Sequence, residues 1–341
     1  MSLFRKRHAP DEAIADFWHW WPDTRPRVEA AVAAGDWGGL VAEVGERVEA
    51  IDPGLEWEFS HGHSGAEHAL VVCASGRPEL RATAARWLAS APPPDGTWEY
   101  HAYRQPDPAA LAAKMRIADT DLALADLRYG ISVDRDRPEI DVVCHHPAFA
   151  TLPEGACVQV TFLSLDWTLG ERDVELWIGA VDWQPVAPPD AQSPEALREA
   201  VADLAAKHRE PVWALMSTEN GHAHPLMASV QVPLKSIRWP RFDTHLAVTV
   251  PYHANHVGLP TDDELRALRG YEDELSDAAG ADGELVAHET SKGRRILHFY
   301  VDSGTGAADA VEHGAAGWHG GRTSVKRASD PSFERVAHLR P

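Results

Sequence analysis

The sequence predicts an α+β protein of two domains, built from ferredoxin-like α/β sandwich units (ββαβ in the first, βαββαβ in the second) with mainly antiparallel sheets. Three observations predict it. At 341 residues the chain exceeds what one small core organises. A proline-dense stretch, Gln184-Pro185-Val186-Ala187-Pro188-Pro189-Asp190-Ala191-Gln192-Ser193-Pro194, interrupts it near the middle. From about residue 245 the local patterns run in the order strand, helix, strand, strand, helix, strand. The expected division is a domain at 10–184, a linker at 185–194 and a second domain at 195–341.

In the first half, strands at 55–59 and 69–74 precede a helix begun by Pro78, with Leu80, Ala84, Trp87 and Ala91 on one face, and a strand at 98–103 comes next. A second round reads as strands at 127–133 and 139–143, a helix around 153–169 and a strand at 174–183. Residues 157–162 have strand propensity, yet Val158, Phe162, Leu165 and Leu169 keep helical spacing. The repetition is one of topology, without residue-level identity. Such proline density disfavours ladder pairing and predicts an extended spacer. Ser193 then caps a helix with Pro194 in its first turn and Leu197, Val201 and Leu204 on one face.

Strands are expected at 212–216 and 226–232, joined through a loop holding Asn220-Gly221. The strand at 245–252 leads through Gly258-Leu259-Pro260 to Thr261 and Glu264, which have capping-box spacing. Leu265, Leu268 and Leu275 mark the buried stripe of the helix begun there. A hairpin around Ser291-Lys292-Gly293 joins strands at 284–290 and 294–301. Ala308, Val311, Ala315 and Trp318 mark a short helix, and a strand at 323–328 closes the sheet.

Net charge is −20, which argues against a nucleic-acid binder, since such a protein uses a basic surface to displace counterions. The balance suits a basic protein partner, or no partner at all, since acidic charge also simply keeps a protein soluble, and the second is the favoured reading. Cys73, Cys144 and Cys157 are too few and odd in number for a disulfide framework, so the cytoplasm is the expected compartment. The opening Met1-Ser2-Leu3-Phe4-Arg5-Lys6-Arg7 is basic like a signal-peptide head, but His8, Pro10, Asp11, Glu12 and Asp16 break up any apolar run beyond it. No run approaches the ~18 apolar residues that span a membrane, so no membrane partner is expected.

The second half resembles the bacterial family called domain of unknown function six-nine-five. The resemblance rests on Tyr252, Gly258-Leu259-Pro260, Glu264, Glu272-Asp273, Leu275, Thr290, Gly293, Arg295, Phe299-Tyr300 and Asp330-Pro331-Ser332-Phe333, over roughly the last 130 residues. Phe333 stands where that family's pattern has Trp, which keeps an aromatic. The first half, with its opening Phe17-Trp18-His19-Trp20-Trp21, looks like an uncharacterised bacterial companion region. The resemblance implies no activity and transfers no functional residue. By topology the C-terminal part is also similar to the regulator of ribonuclease E activity B, which acts by binding a ribonuclease; fold alone does not carry function.

Several motifs invite chemistry. Gly62-His63-Ser64-Gly65 is similar to a serine nucleophile elbow, but it sits between two strands rather than strand and helix, so a hairpin loop is expected. Gly304-Thr305-Gly306 precedes a helix as a dinucleotide loop would, but Asp309 replaces the third glycine and would repel pyrophosphate. His61, His63, Cys144, His145 and His146 fall at strand ends and offer imidazole and thiolate for zinc, without a paired Cys-x-x-Cys or a His-Glu-x-x-His; surface and capping roles are the commoner fate of such histidines. His253 and His256, flanking Asn255, form a weaker cluster.

Glu272 continues the apolar stripe of its helix, so it must find a partner or shift its pKa. An ion pair to Arg295 or His298 on the neighbouring hairpin is the favoured reading, a buried acid in a cleft the other. Trp18, Trp20 and Trp21 could form a partner surface, but aromatics of that size usually anchor a helix to its own domain. The acidic helix carries Asp262, Asp263, Glu264, Glu272, Asp273, Glu274 and Asp277 against Arg266 and Arg269. That run is commonly a solvated face, and it is also the most credible docking surface for a basic protein. The leading expectation is a cytosolic, non-catalytic binding or regulatory protein needing no cofactor, nuclease inhibition being one instance. The alternative is a metal-assisted hydrolase using the His and Cys residues of the first half. Oligomeric state is not legible.

Overall fold

The computed structural model describes residues 10–135, 137–218 and 225–340. The basic opening at 1–7 and the Asn220-Gly221 turn lie outside them. Helices and mainly antiparallel sheets make an α+β protein, with parallel pairing among the described strands confined to one pair in each three-stranded sheet. No helix among the described residues is long and apolar enough to cross a membrane. The chain divides into two compact units, Met1–Ala125 with Glu154–Glu175 and Asp126–Pro153 with Leu176–Pro341.

This division differs from the expected break at 185. The proline-rich stretch lies wholly inside the second unit and is not a free spacer. Tyr129 and Gln192 exchange two backbone hydrogen bonds of 2.8 Å, and Pro188 packs so close to Gly130 that a Cβ there would sit 3.1 Å from its ring. Proline removes its own N–H from a ladder but leaves its neighbours free to pair.

The first unit opens with α1 (Pro10–Ala34) and α2 (Leu40–Ile51), followed by β1 (Glu56–His61), β2 (His68–Cys73), α3 (Pro78–Ala89) and β3 (Trp98–His101). A hairpin of β4 (Lys114–Ile117) and β5 (Thr120–Ala123), the helix α4 (Glu154–Leu169) and the start of α5 (Glu171–Trp177) complete it. β1 and β2 run antiparallel, and the α3 crossover brings β3 parallel to β2. Phe17, Trp21, Val44, Val48, Leu70, Trp87 and Trp98 form the core. The Trp21 indole donates to the Tyr100 hydroxyl (2.9 Å), Trp18 to the Trp87 carbonyl (2.8 Å) and Trp20 to Glu43 on α2 (3.0 Å). These tryptophans therefore anchor α1 within its own unit, each with its polar N–H satisfied.

The second unit begins with β6 (Arg128–Asp134), β7 (Glu139–His145) and β8 (Ile178–Gln184), which repeat the antiparallel-then-parallel order of β1–β2–β3. α6 (Pro194–Ala206) comes next. The main sheet is built from β9 (Val212–Ser217), β10 (Met227–Val232), β11 (Thr244–Pro251), β12 (Gly283–Ser291), β13 (Arg294–Val301) and β14 (Ser324–Ser329), with α7 (Asp262–Ala279) and α8 (Ala307–Gly314) as its crossovers. Its strand order is β14-β11-β13-β12-β10-β9, antiparallel throughout. The first four strands have the split β-α-β arrangement, and β10 and β9 extend it at one edge.

Strand alternation divides the main sheet into two buried faces. Leu246, Val248, Val250, Leu285, Leu297, Phe299 and Val301 meet Leu268, Leu275 and Val311 of α7 and α8. The helices touch closely, since a Cβ on Gly314 would stand 2.9 Å from Leu275. On the opposite face Val230, Val286, Ala287 and Tyr300 are covered by Phe242, Phe333, Val336 and Leu339. Phe333 stacks on Tyr300 at 3.5 Å between ring centres, while Asp330 accepts from the Tyr300 hydroxyl (2.6 Å) and from the Glu334 and Arg335 amides. The terminal Asp330-Pro331-Ser332-Phe333 is thus a clasp for the end of the chain.

Candidate functional site

The extension of the main sheet creates the most promising site. α7 and α8 pack over β11, β12, β13 and β14, so the helix-side face of β9 and β10 runs out from beneath them. There Trp213 is 41% and Leu215 72% exposed, whereas Val212, Ala214 and Met216 on the other side of β9 pack against the core. Between this shelf and α7 lies a cleft of about 460 Å³. Trp213, Gln231, Glu284 and His288 form its sheet side, and Arg269, Glu272 and Asp273 its helical wall.

Glu272 and Arg295 tie the wall to the sheet. The Arg295 guanidinium donates to Glu272 at 2.6 Å and to the Thr290 hydroxyl at 2.9 Å, and Glu272 and Arg295 are 8% and 4% exposed. Burial pushes the Glu272 carboxyl above its ordinary pKa while the Arg295 charge pulls it back. His298, the other expected partner, faces the opposite side of the sheet and pairs with Glu289 at 3.0 Å. His288 lies 3.5 Å from Glu272, too far for a formed hydrogen bond. Burial, then the Arg295 and Arg269 charges, pull its pKa down to about 3, which keeps the ring neutral.

A bulge in β12 between Leu285 and Ala287 shapes the cleft floor. The Gln231 amide fills the interruption, donating to the Leu285 carbonyl at 2.9 Å and to the Glu284 carboxylate. Its N–H groups are thereby used, and its carbonyl oxygen is buried with no hydrogen-bond partner among the described residues.

The seven carboxylates expected as a docking surface do not act alike. Thr261 caps α7 by accepting from the Glu264 amide. Asp262, Asp263, Asp273, Glu274 and Asp277 are exposed, Glu264 is half-buried, and Glu272 is buried against Arg295 and leaves the docking set. Asp273 borders the cleft. Asp263, Glu264 and Glu274 instead border a second groove of about 640 Å³ with Tyr271 and Trp318. Asp263 pairs with Arg266, and Glu264 with His253 at 3.1 Å; His256 is exposed.

The expected zinc ligands stand apart in role. His61 and His63, in the first unit, lie at the β1–β2 hairpin, where the Ser64 amide and the His63 amide both donate to Glu99. Gly62-His63-Ser64-Gly65 is thus a carboxylate-anchored hairpin loop, without the strand-to-helix turn of a nucleophile elbow. Cys144, His145 and His146, in the second unit, are buried: His145 bonds the Gln184 carbonyl at 3.0 Å, and His146 Nδ1 accepts from the Ala148 amide at 3.1 Å. Among the described residues no three His, Cys, Asp or Glu side chains converge as metal ligands would. Gly304-Thr305-Gly306 forms a turn into α8, with Asp302 accepting from the Gly304 amide at 2.9 Å.

Two features have little local signature. On the sheet face away from α7, His245 Nε2 meets His298 Nδ1 (3.0 Å), His298 Nε2 meets Glu289 (3.0 Å), and Glu289 also meets His338 (3.1 Å). In the first unit, burial and then the Glu171 charge push the half-buried Asp166 pKa up to about 6, outweighing Arg104. Its ionised form opposes folding at neutral pH, so Asp166→Asn is expected to raise stability at pH 7 by about 1–2 kcal/mol after allowing for solvent screening. The gain should fade as pH falls from 6 towards 4, and urea melts at the two pH values check both parts. No protein-family model, curated protein or solved structure matches this chain.

Proposed function

We propose that this is a non-catalytic, cytoplasmic binding or regulatory protein whose acidic α7 surface docks a basic protein partner. The observation that carries the reading is the exposed set Asp262, Asp263, Asp273, Glu274 and Asp277 on one helix, in a chain of net charge −20. Such a field speeds encounter with a basic surface and disfavours nucleic acid. The three cysteines are buried and not joined in disulfides, as suits a reducing compartment. The resemblance to the domain of unknown function six-nine-five family adds no activity, and inhibition of a ribonuclease is one instance of the proposed role. A metal-assisted hydrolase has less support, because His145 and His146 are hydrogen-bonded to backbone groups and no three potential ligands converge among the described residues.

The test is capture from native lysate over a range of salt, run beside a variant carrying Asp262→Lys, Asp263→Lys and Asp277→Lys. These three exposed positions lie outside the cleft lining. A stoichiometric partner held at low salt, released as salt rises and lost with the variant is expected. Failure to retain any stoichiometric protein, or equal retention by the charge-reversed variant, overturns the reading.

A further inference from the structure

We propose that the cleft between α7 and the β9–β10 shelf receives an arginine side chain of that basic partner. The inference rests on the docking reading for where the arginine comes from, but its chemistry comes from the cleft alone. Gln231 is 2% exposed and its amide nitrogen is committed to Leu285 and Glu284. Its carbonyl oxygen is left without a donor among the described residues, and Gln231 is one of the residues bordering the cleft. A buried acceptor left unpaired is costly, so an incoming group that supplies N–H donors is favoured.

The rest of the lining narrows the choice to a cation. Trp213 keeps an exposed ring, stacked near His288 at 6.2 Å and 26°, and an indole face is the best aromatic platform for a positive group. With Glu272 matched to Arg295, the remaining charges are Asp273 and Glu284 against Arg269, a net of one negative. Guanidinium suits this set better than ammonium. It is planar, stacks on aromatic rings and presents five donors in a rigid fork, which serves carboxylate and amide acceptors together.

The experiment uses the full chain and three labelled pentapeptide amides, Gly-Gly-X-Gly-Gly with X as arginine, lysine or the uncharged isostere citrulline, read by fluorescence anisotropy. The arginine peptide should bind about tenfold more tightly than the citrulline peptide, with lysine between them. Trp213→Leu and the pair Asp273→Asn with Glu284→Gln should each weaken arginine binding by about tenfold. Circular dichroism checks folding, and the carboxylate pair alone decides if Trp213→Leu does not fold. Equal binding of arginine and citrulline, or no effect of the decisive variants, overturns the proposal. A partner lost on reversing Asp262, Asp263 and Asp277, with no arginine selectivity in the peptides, overturns the cleft assignment and leaves the docking reading standing. Selective peptide binding that those cleft variants weaken, without any captured partner, supports the cleft and removes the docking reading.

Discussion

Arg295→Met is expected to lower the unfolding free energy by about 3–5 kcal/mol, because removing one member of a buried ion pair strands the other. The guanidinium meets Glu272 at 2.6 Å and the Thr290 hydroxyl at 2.9 Å, and both charged residues are almost wholly buried. In the variant, Glu272 keeps the burial that raises its pKa and loses the charge that holds it down. A carboxyl whose folded pKa exceeds its unfolded value disfavours folding once ionised, and the penalty is relieved as pH falls through the folded pKa. The deficit should therefore be large at pH 8 and shrink on acidification, with a loss of melting temperature on the order of 10 °C at the alkaline end. Adding Glu272→Gln should recover most of the stability at pH 8. A single variant within 1 kcal/mol of wild type, or one whose deficit grows with acid, would falsify the pairing as a structural tie.

Glu272 also shows where sequence reasoning reaches and where it stops. The 3.6-residue period places it on the apolar stripe of α7, and it is buried there. Choosing between Arg295 and His298 needs the second period: residues three apart on a strand point to opposite faces, so only one can meet the helix. Arg295 takes that side and His298 the other. The capping of α7 by Thr261 and the order of elements from β11 to β14 were legible for the same reason, since each depends on spacing within one element. The hairpin of β4 and β5 was not. Its strands have four residues each, and its turn uses Ala118 and Asp119 at positive φ, without the glycine that normally announces such a turn.

The cleft was beyond local reading for a different reason. Trp213 and Leu215 alternate like any half-buried strand, and nothing nearby says that their face is left uncovered. That comes from β9 and β10 joining the sheet beyond the reach of α7 and α8, through distant pairs such as Met227 with Thr290 and Val230 with Ala287. The β12 bulge, which consumes the Gln231 amide, is equally non-local. The chain from His245 through His298 and Glu289 to His338 joins three strands and the C-terminal turn, so composition alone flags only an abundance of histidine.

Those buried histidines make the fold acid-sensitive in a predictable window. His245 is 4% exposed, and burial followed by the His298 and Arg335 charges pulls its pKa down to about 4, with Asp330 opposing. His288 is drawn down to about 3 by burial, Arg295 and Arg269. Both would titrate near 6.5 in the unfolded chain, so between pH 6.5 and 4 the unfolded state binds protons that the folded state refuses. Stability is fully present above 6.5 and declines as pH falls, by about 3 kcal/mol for each ring at pH 4. Glu272 and Asp166 work in the opposite sense, since a carboxyl with a raised folded pKa relieves its penalty as pH falls, so the histidine contribution is the difference in slope between wild type and each histidine variant. Urea unfolding from pH 7.5 to 4 should show this slope, and His245→Gln or His288→Gln should each reduce it by nearly one proton. If either variant lost stability in parallel with wild type across that range, its ring would not be excluding a proton in the folded protein, and the acid sensitivity would have to arise from the paired carboxylates instead.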